Sequence, residues 1–349
     1  FYWLEGVSIW PSQLLRILIV LFVWFFCRWG HQRIKKMEED LKDEIPSTFV
    51  LPNNWIPPKF LEVLFIGDWK RVRDQDDILK VQPEKLWEKY LGYSGLDMPV
   101  TSSHWFLRVV IHVLVFFLAA GILISQTGLP NVPARGDFAQ SVNLCLIILA
   151  VLSTIFLITW VVENARLCER LIDDLSAKPS KWTDEAKAWT TRVKKVPPEC
   201  ADDWLDIHLV ARLTATMQPL IFGPMVCIAL LILARSPVID DWDLPWGLEI
   251  VFIIMLFYSI SAEIFLQHGA KSARKKAIDH LTAKISYQRN QNAPVEIVIK
   301  RIEAEIERIR DLREGAFRPW YEWPLLQSFG GLGTLWAALQ YFAGAWGSF

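Results

Sequence analysis

The chain has 349 residues, 52% of them hydrophobic, and its 37 basic and 38 acidic side chains leave a formal net charge of −1. This balance gives no reason to expect a nucleic-acid partner. The apolar residues form long blocks without Asp, Glu, Lys or Arg, over residues 109–134, 138–162 and 213–234. A soluble helix would interrupt such blocks with polar surface positions. They therefore exclude a soluble globular protein and predict an all-α, polytopic integral membrane protein.

About six transmembrane helices are predicted, because some twenty apolar residues at 1.5 Å each cross the ~30 Å hydrocarbon core. Span one lies in residues 1–27, and two hairpins of two spans each follow at 105–162 and 213–267. Residues 324–349 hold span six, with tryptophans near both ends. The polar segments 28–104, 163–212 and 268–323 are predicted to be largely helical.

Basic residues are distributed unevenly across the predicted membrane. The three polar segments hold 33 of the 37 lysine and arginine residues. Since these residues accumulate on the cytoplasmic side, we expect all three segments in the cytoplasm and both termini outside. The expected location is the bacterial inner membrane, with the lipid bilayer as the first partner.

A similar phrase follows each span that enters the cytoplasm. It reads KMEEDL at residues 36–41, RLIDDL at 170–175 and KAIDHL at 276–281. This similarity indicates either a triplicated unit or chance resemblance among amphipathic helices that leave a membrane, and the sequence leaves both interpretations open.

Two charged residues lie at comparable depths near the outer ends of their spans, Arg16 in span one and Glu249 in span five. A charged side chain at the centre of a membrane costs ~2.5–3.5 kcal/mol. We therefore expect Arg16 and Glu249 to pair or to face a common polar cavity. The alternative is that each reaches the headgroups unaided.

A second ionisable layer is expected near the cytoplasmic ends of the spans. Its members are Arg108, His112, Glu163, Glu263 and His268. On span five, the fourteen-residue separation of the two glutamates places them within about 40° on one helix face, at opposite ends of a ~21 Å path. A proton or ion path would need such groups, whereas ordinary anchoring of helix ends would also explain them.

Span four contains Pro219, Gly223 and Pro224, so a kink is expected there. Broken helices of this kind occur in transporters and gates, although prolines are also common in spans without such a role.

The third polar segment carries apolar residues at the 4-3-4-3 spacing of a coiled-coil seam. They are Val295, Ile299, Ile302, Ile306 and Ile309. A seam of this length predicts packing within the chain by default and leaves oligomerisation or docking as an alternative.

No catalytic motif is found. The chain lacks a phosphate-binding loop, GxSxG and HExxH, so no cofactor is predicted and an enzyme is not favoured. The cluster Cys200, Asp202, Asp203, Asp206 and His208 lacks the spacing of a known metal site. The five cysteines show no zinc or redox spacing and are predicted to be reduced.

These features together favour a channel-like or pore-forming subunit that assembles with copies of itself or with a partner membrane protein. Residues 270–317 would supply its docking helices. A secondary transporter that uses Glu249, Glu263 and the kinked span four is the first alternative. A non-catalytic membrane scaffold is the second.

Overall fold

The computed structural model describes residues 9–44, 83, 86, 90, 104–128, 137–177, 179–234, 246–290, 296–319 and 322. These residues are almost entirely helical, and none of them belongs to a strand, which confirms the all-α prediction for this part of the chain. The α-helices are α1 (Ile9–Glu44), α2 (His104–Thr127), α3 (Asp137–Leu175), α4 (Asp184–Trp189), α5 (Ala201–Leu233), α6 (Trp246–Arg289) and α7 (Glu296–Arg310). Short helical turns occur at Thr190–Lys194, Pro198–Cys200 and Gly315–Phe317.

Five helices, α1, α2, α3, α5 and α6, are long and apolar enough to cross a membrane. They correspond to five of the six predicted spans. Span six, in residues 324–349, lies outside the described residues, as does most of the polar segment 28–104.

The spanning helices continue well beyond the predicted membrane boundaries. Helix α6 has 44 residues and is therefore about 66 Å long, roughly twice the ~30 Å of the hydrocarbon core. Its extension carries the buried residues Ala273, Ala277 and Leu281 at helical spacing, which explains why the helix does not end where charge begins. We call the extensions the charged end: residues 28–44, 163–175, 201–212 and 268–289.

The spanning helices run antiparallel to their neighbours in the chain. At the charged end, Lys276 of α6 lies 3.3 Å from the Ser176 hydroxyl at the end of α3, and Lys284 of α6 reaches Asp203 at the start of α5. At the opposite end, Thr127 of α2 contacts Gly247 of α6. Helices α3, α5 and α6 pack on one another, while α1 lies against α3 and α5, and α2 against α3 and α6.

Two glycines permit close packing of α1 on its neighbours. A Cβ atom at Gly30 would lie 2.6 Å from the ring of Trp160 in α3, and one at Gly223 of α5 would lie 2.3 Å from the ring of Phe26 in α1. Larger residues at these positions would force the helices apart, so small residues set the interhelical distance here.

Large apolar side chains cover the outer faces of α1, α2 and α6. Leu18, Trp24, Leu118, Ile122 and Phe257 are each exposed over much of their surface. Such a surface is unfavourable in water and suits contact with lipid acyl chains.

Helix α7 packs against α6 within the same chain. Ile299, Ile302, Ile306 and Ile309 of the predicted seam are all buried, and Arg289 of α6 pairs with Glu303 of α7 at 3.0 Å. Val295 lies outside the described residues. The seam residues that the structure describes are therefore occupied by intramolecular packing.

The last leucine of each repeated phrase is buried: Leu41 in α1, Leu175 in α3 and Leu281 in α6. A triplicated unit and a chance resemblance would both place an apolar residue on the inner face of each helix. The triplication therefore stays a prediction.

Candidate functional site

A line of polar side chains runs along the inner face of α6. Ser259, Glu263 and Gln267 occupy successive helical turns and are 1%, 1% and 3% exposed. The four-residue spacing places all three on one side of the helix, because such residues are neighbours on its surface. We call these three residues the polar line.

The polar line is poorly satisfied by the surrounding protein. The amide of Gln267 donates to Glu263 Oε1 over a long 3.5 Å. Within the described part of the chain, Ser259 Oγ, Glu263 Oε2 and Gln267 Oε1 have no hydrogen-bond partner. An unsatisfied buried polar group costs ~1–3 kcal/mol, and more when it is charged, so this arrangement does not serve stability.

Gln267, at one end of the polar line, is turned away from α3. Gly269 of α6 packs against Ile172 of α3, and Gln267 lies about 160° around the helix from it. Gln267 instead lines a recess together with Phe317, which belongs to the turn that follows α7. Gln267 therefore lies on the side of α6 that faces this turn.

The Gly315–Phe317 turn is fastened to α5 by two hydrogen bonds. Gln218 donates to the Gly315 carbonyl at 2.9 Å, and the Ala316 N–H donates to the Thr214 hydroxyl at 3.0 Å. Gly315 has a φ of +55°, and a Cβ there would lie 2.2 Å from Thr214 Oγ1. Glycine is required here because of the positive φ and because of the close approach to Thr214. The two hydrogen bonds hold the turn in a defined position at the charged end of the α5–α6 contact.

Glu163 of α3 has a different environment from Glu263. Its carboxylate pairs with Arg166 one turn later at 3.2 Å. The Arg166 guanidinium lies 5.3 Å from the Phe265 ring centroid and 5.9 Å from that of Tyr258, both on α6. The Glu163 charge is thus compensated, and the pair is covered by aromatic rings.

The other members of the expected ionisable layer are spread out. His112 is half-buried on α2, and His268 is exposed on α6. Arg108 lies in α2, with its side chain outside the described set. Glu163 and Glu263 approach different faces of α6, and the common ionisable layer stays a prediction.

Arg16 is buried on the α1–α3 contact with 1% of its surface exposed. It donates to Asn143 Oδ1 at 3.3 Å, and Gln13 donates to the same oxygen at 2.8 Å. Glu249 is exposed in the first turn of α6. The sequence reasoning missed Asn143 and Gln13 because it considered only ionisable residues, and the pairing of Arg16 with Glu249 stays a prediction.

Helix α5 passes through Pro219, Gly223 and Pro224 without an interruption. Each proline lacks an N–H, so the carbonyls of residues 215 and 220 lose their usual helical donor. Gly223 is the position at which Phe26 of α1 approaches α5. The expected kink stays a prediction.

The acidic cluster at the start of α5 fastens neighbouring elements together. Asp203 accepts from His280 and Lys284 of α6. Asp202 pairs with Lys187 at 3.0 Å, and Asp206 accepts from the Trp182 indole at 2.8 Å. Among the described residues, no group of three or more His, Cys, Asp and Glu is placed to hold a metal ion.

Comparison with known proteins finds no matching family, no matching curated protein and no matching solved structure. The candidate site is therefore argued from its own residues. The polar line is the strongest candidate, because Glu263 is a buried carboxylate with no compensating charge among the described residues.

Proposed function

We propose that the protein is a proton-coupled secondary transporter in which Glu263 carries the coupling proton. The supporting observation is the polar line itself, with its buried carboxylate and three oxygens that lack a partner. An ionisable group buried in a spanning helix is costly, and such groups mark proton and substrate paths in membrane proteins. A carboxylate without a fixed partner can accept and release a proton, whereas a salt-bridged one is held in its charged form.

The polar line reaches only part of the way along α6, which supports transport by alternating access. Gln267 connects the line to the recess at the charged end. In the other direction the same face continues with Leu248, Val251 and Met255, all buried and apolar. A path that is polar from the charged end up to Ser259 and closed by packing beyond it fits a transporter in one of its two states.

Helix α5 is the element best suited to move. It packs against α6, and its two prolines weaken the backbone hydrogen bonding near the middle of the helix. A small rearrangement there would change the access to Glu263 while the charged end stays fastened.

The channel-like subunit that the sequence favours requires a continuous polar lining, which the described residues of one copy do not supply beyond Ser259. A ring of copies remains a separate hypothesis, as does the scaffold. Transport measurements distinguish these three functions.

The test uses the full chain reconstituted in liposomes with trapped pyranine as the pH indicator. A potassium gradient with valinomycin drives proton entry, and pools of sodium, amino acids, sugars and organic acids are added outside in turn. We expect at least one pool to give saturable proton entry, and Glu263→Gln to reduce it by roughly 100-fold, the lower end of the range for loss of a positioned proton-transfer group. Glu185→Gln, at an exposed position on α4, is the matched control and retains the wild-type rate.

Two results would overturn the proposal. Proton or ion flux that needs no added solute and does not saturate would indicate a channel. Solute uptake at the wild-type rate in Glu263→Gln would remove the carboxylate from the mechanism.

A further inference from the structure

A basic recess lies between α6 and the residues that follow α7, with a volume of about 340 Å³. Five of its lining residues are cationic: Lys271, Arg274, Arg310, Arg313 and Arg318. The remaining lining residues are Gln267, Leu312, Phe317 and Pro319, so no carboxylate is present among them. A concave site with one sign of charge concentrates ions of the opposite sign.

The cations of the basic recess are only partly compensated within the described structure. Arg310 pairs with Glu307 at 2.6 Å. Arg274 donates to the Leu312 carbonyl and lies 4.4 Å from the Phe317 ring centroid, and its Nε has no hydrogen-bond partner there. Desolvation by burial lowers the pKa of Arg274, which lies beyond the predicted span, so the protein environment disfavours this charge and an anion would favour it.

The recess lies where the predicted spans end. Lys271 follows Gln267, the last residue of predicted span five, by one turn of α6. Opposite it, the Gly315–Phe317 turn is fastened to Thr214 and Gln218 in the first turns of predicted span four. The recess therefore lies at the predicted level of the lipid headgroups, and its apolar side chains lie at that level too.

We propose that the basic recess binds the phosphate group of an anionic lipid at the charged face of the membrane. The guanidinium groups of Arg313 and Arg318 present paired N–H donors that match phosphate oxygens, and Lys271 adds a mobile point charge. Basic pockets beside spanning helices are typical sites for phosphorylated lipid headgroups. A soluble phosphate would meet the same donors, but the half-buried Leu312 would contribute nothing to its binding, whereas it suits the glycerol and first methylenes of a lipid.

The test measures lipid retention by the purified full chain. The protein is equilibrated in mixed micelles with phosphatidylglycerol or phosphatidylcholine, and bound lipid is counted by native mass spectrometry. The triple variant Lys271→Gln, Arg313→Gln and Arg318→Gln keeps Arg274, which has a structural contact. We expect it to bind phosphatidylglycerol at least roughly tenfold more weakly, since each surface cation contributes about 1 kcal/mol toward anionic lipid.

The matched control removes three exposed cations of α6 and α7 that do not line the recess, in Lys275→Gln, Lys300→Gln and Arg301→Gln. We expect it to retain phosphatidylglycerol as the wild type does. Equal losses in both triple variants would indicate general surface charge and overturn the proposal, as would equal retention of phosphatidylcholine. Displacement of phosphatidylglycerol by millimolar inorganic phosphate would show that the recess takes free phosphate, which also overturns the assignment to lipid.

Discussion

Glu163 on α3 and Glu263 on α6 are each about 1% exposed, yet they lie in opposite kinds of surroundings. On the α3 side, Glu163 has Arg166 at 3.2 Å, with two aromatic rings beneath the guanidinium. On the opposite face of α6, Glu263 has only the amide of Gln267, at 3.5 Å, among the described residues. The same carboxyl group is therefore compensated on one face of α6 and left uncompensated on the other.

The difference matches the proposed roles of the two acids, a structural charge at Glu163 and a functional one at Glu263. Removal of one member of a buried ion pair is destabilising, because the remaining charge loses its compensation. A buried carboxylate with no partner gains nothing for the fold and is retained for another reason, of which proton exchange is the most direct. Removal of the charge that pairs with Glu163 should therefore lower the free energy of unfolding, and removal of the Glu263 charge should raise it.

The largest effect is expected for Arg166→Met, which keeps the length of the side chain and removes its charge. Glu163 would then be buried without a partner. We expect the free energy of unfolding to fall by about 2 kcal/mol, less than for a fully enclosed pair because the Arg166 side chain is 29% exposed. Unfolding of the detergent-solubilised protein by sodium dodecyl sulfate titration measures the change.

The double variant Glu163→Gln with Arg166→Met serves as the control for this prediction. It removes both charges and should recover most of the lost stability. A double variant as unstable as Arg166→Met alone would mean that Arg166 acts by packing on Tyr258 and Phe265 and not by pairing with Glu163.

Much of the fold could be predicted because the thickness of a bilayer fixes the length of an apolar block. The charges that follow residues 162 and 267 mark the boundary of a block, but they do not end a helix. Leu171 and Leu175 on α3, like Ala273 and Ala277 on α6, keep the inner positions apolar beyond that boundary. The long helical extensions could have been recognised from this spacing.

The candidate site could be predicted only in part. Glu263 is conspicuous as a charge in an apolar block, whereas Ser259 and Gln267 do not interrupt the block and were missed. Their four-residue spacing from Glu263 was the available signal. The sequence also distinguishes the two acids, because Arg166 lies three residues after Glu163 and no base lies three or four residues from Glu263.

Glu263→Gln should have the opposite effect to Arg166→Met. The glutamine amide occupies the same volume as the carboxylate and cannot ionise. Its NH₂ group can also donate a hydrogen bond, which the ionised carboxylate cannot do. We expect stability in the same titration to rise by about 1 kcal/mol, while proton-coupled flux is lost. A loss of stability comparable to that of Arg166→Met would show that Glu263 is compensated in the membrane by a group that the described residues do not include, and the contrast between the two faces would fail.

The smallest effect is expected for Glu305, a third buried acid, which lies on α7 outside the predicted spans. Arg308 lies 3.7 Å away, and Glu305 Oε1 has no hydrogen-bond partner among the described residues. Burial raises the pKa of Glu305 above its ordinary value of 4.5, and the charge of Arg308 only partly opposes this. It is therefore intermediate between the compensated Glu163 and the uncompensated Glu263.

The folded chain binds the Glu305 proton more tightly than the unfolded chain does. Stability is therefore greatest below the ordinary pKa and falls as pH rises through the raised pKa. Glu305→Gln should remove this slope and gain roughly 0.5 kcal/mol at neutral pH. Thermal unfolding from about pH 4 to about pH 8 measures this dependence of stability on pH. The range begins just below the ordinary glutamate pKa. Glu303→Gln, at a half-exposed position two residues earlier, is the control and should keep the wild-type slope. A Glu305→Gln protein that is less stable than the wild type at every pH would place Glu305 with Glu163, as an acid whose ion pair outweighs its burial.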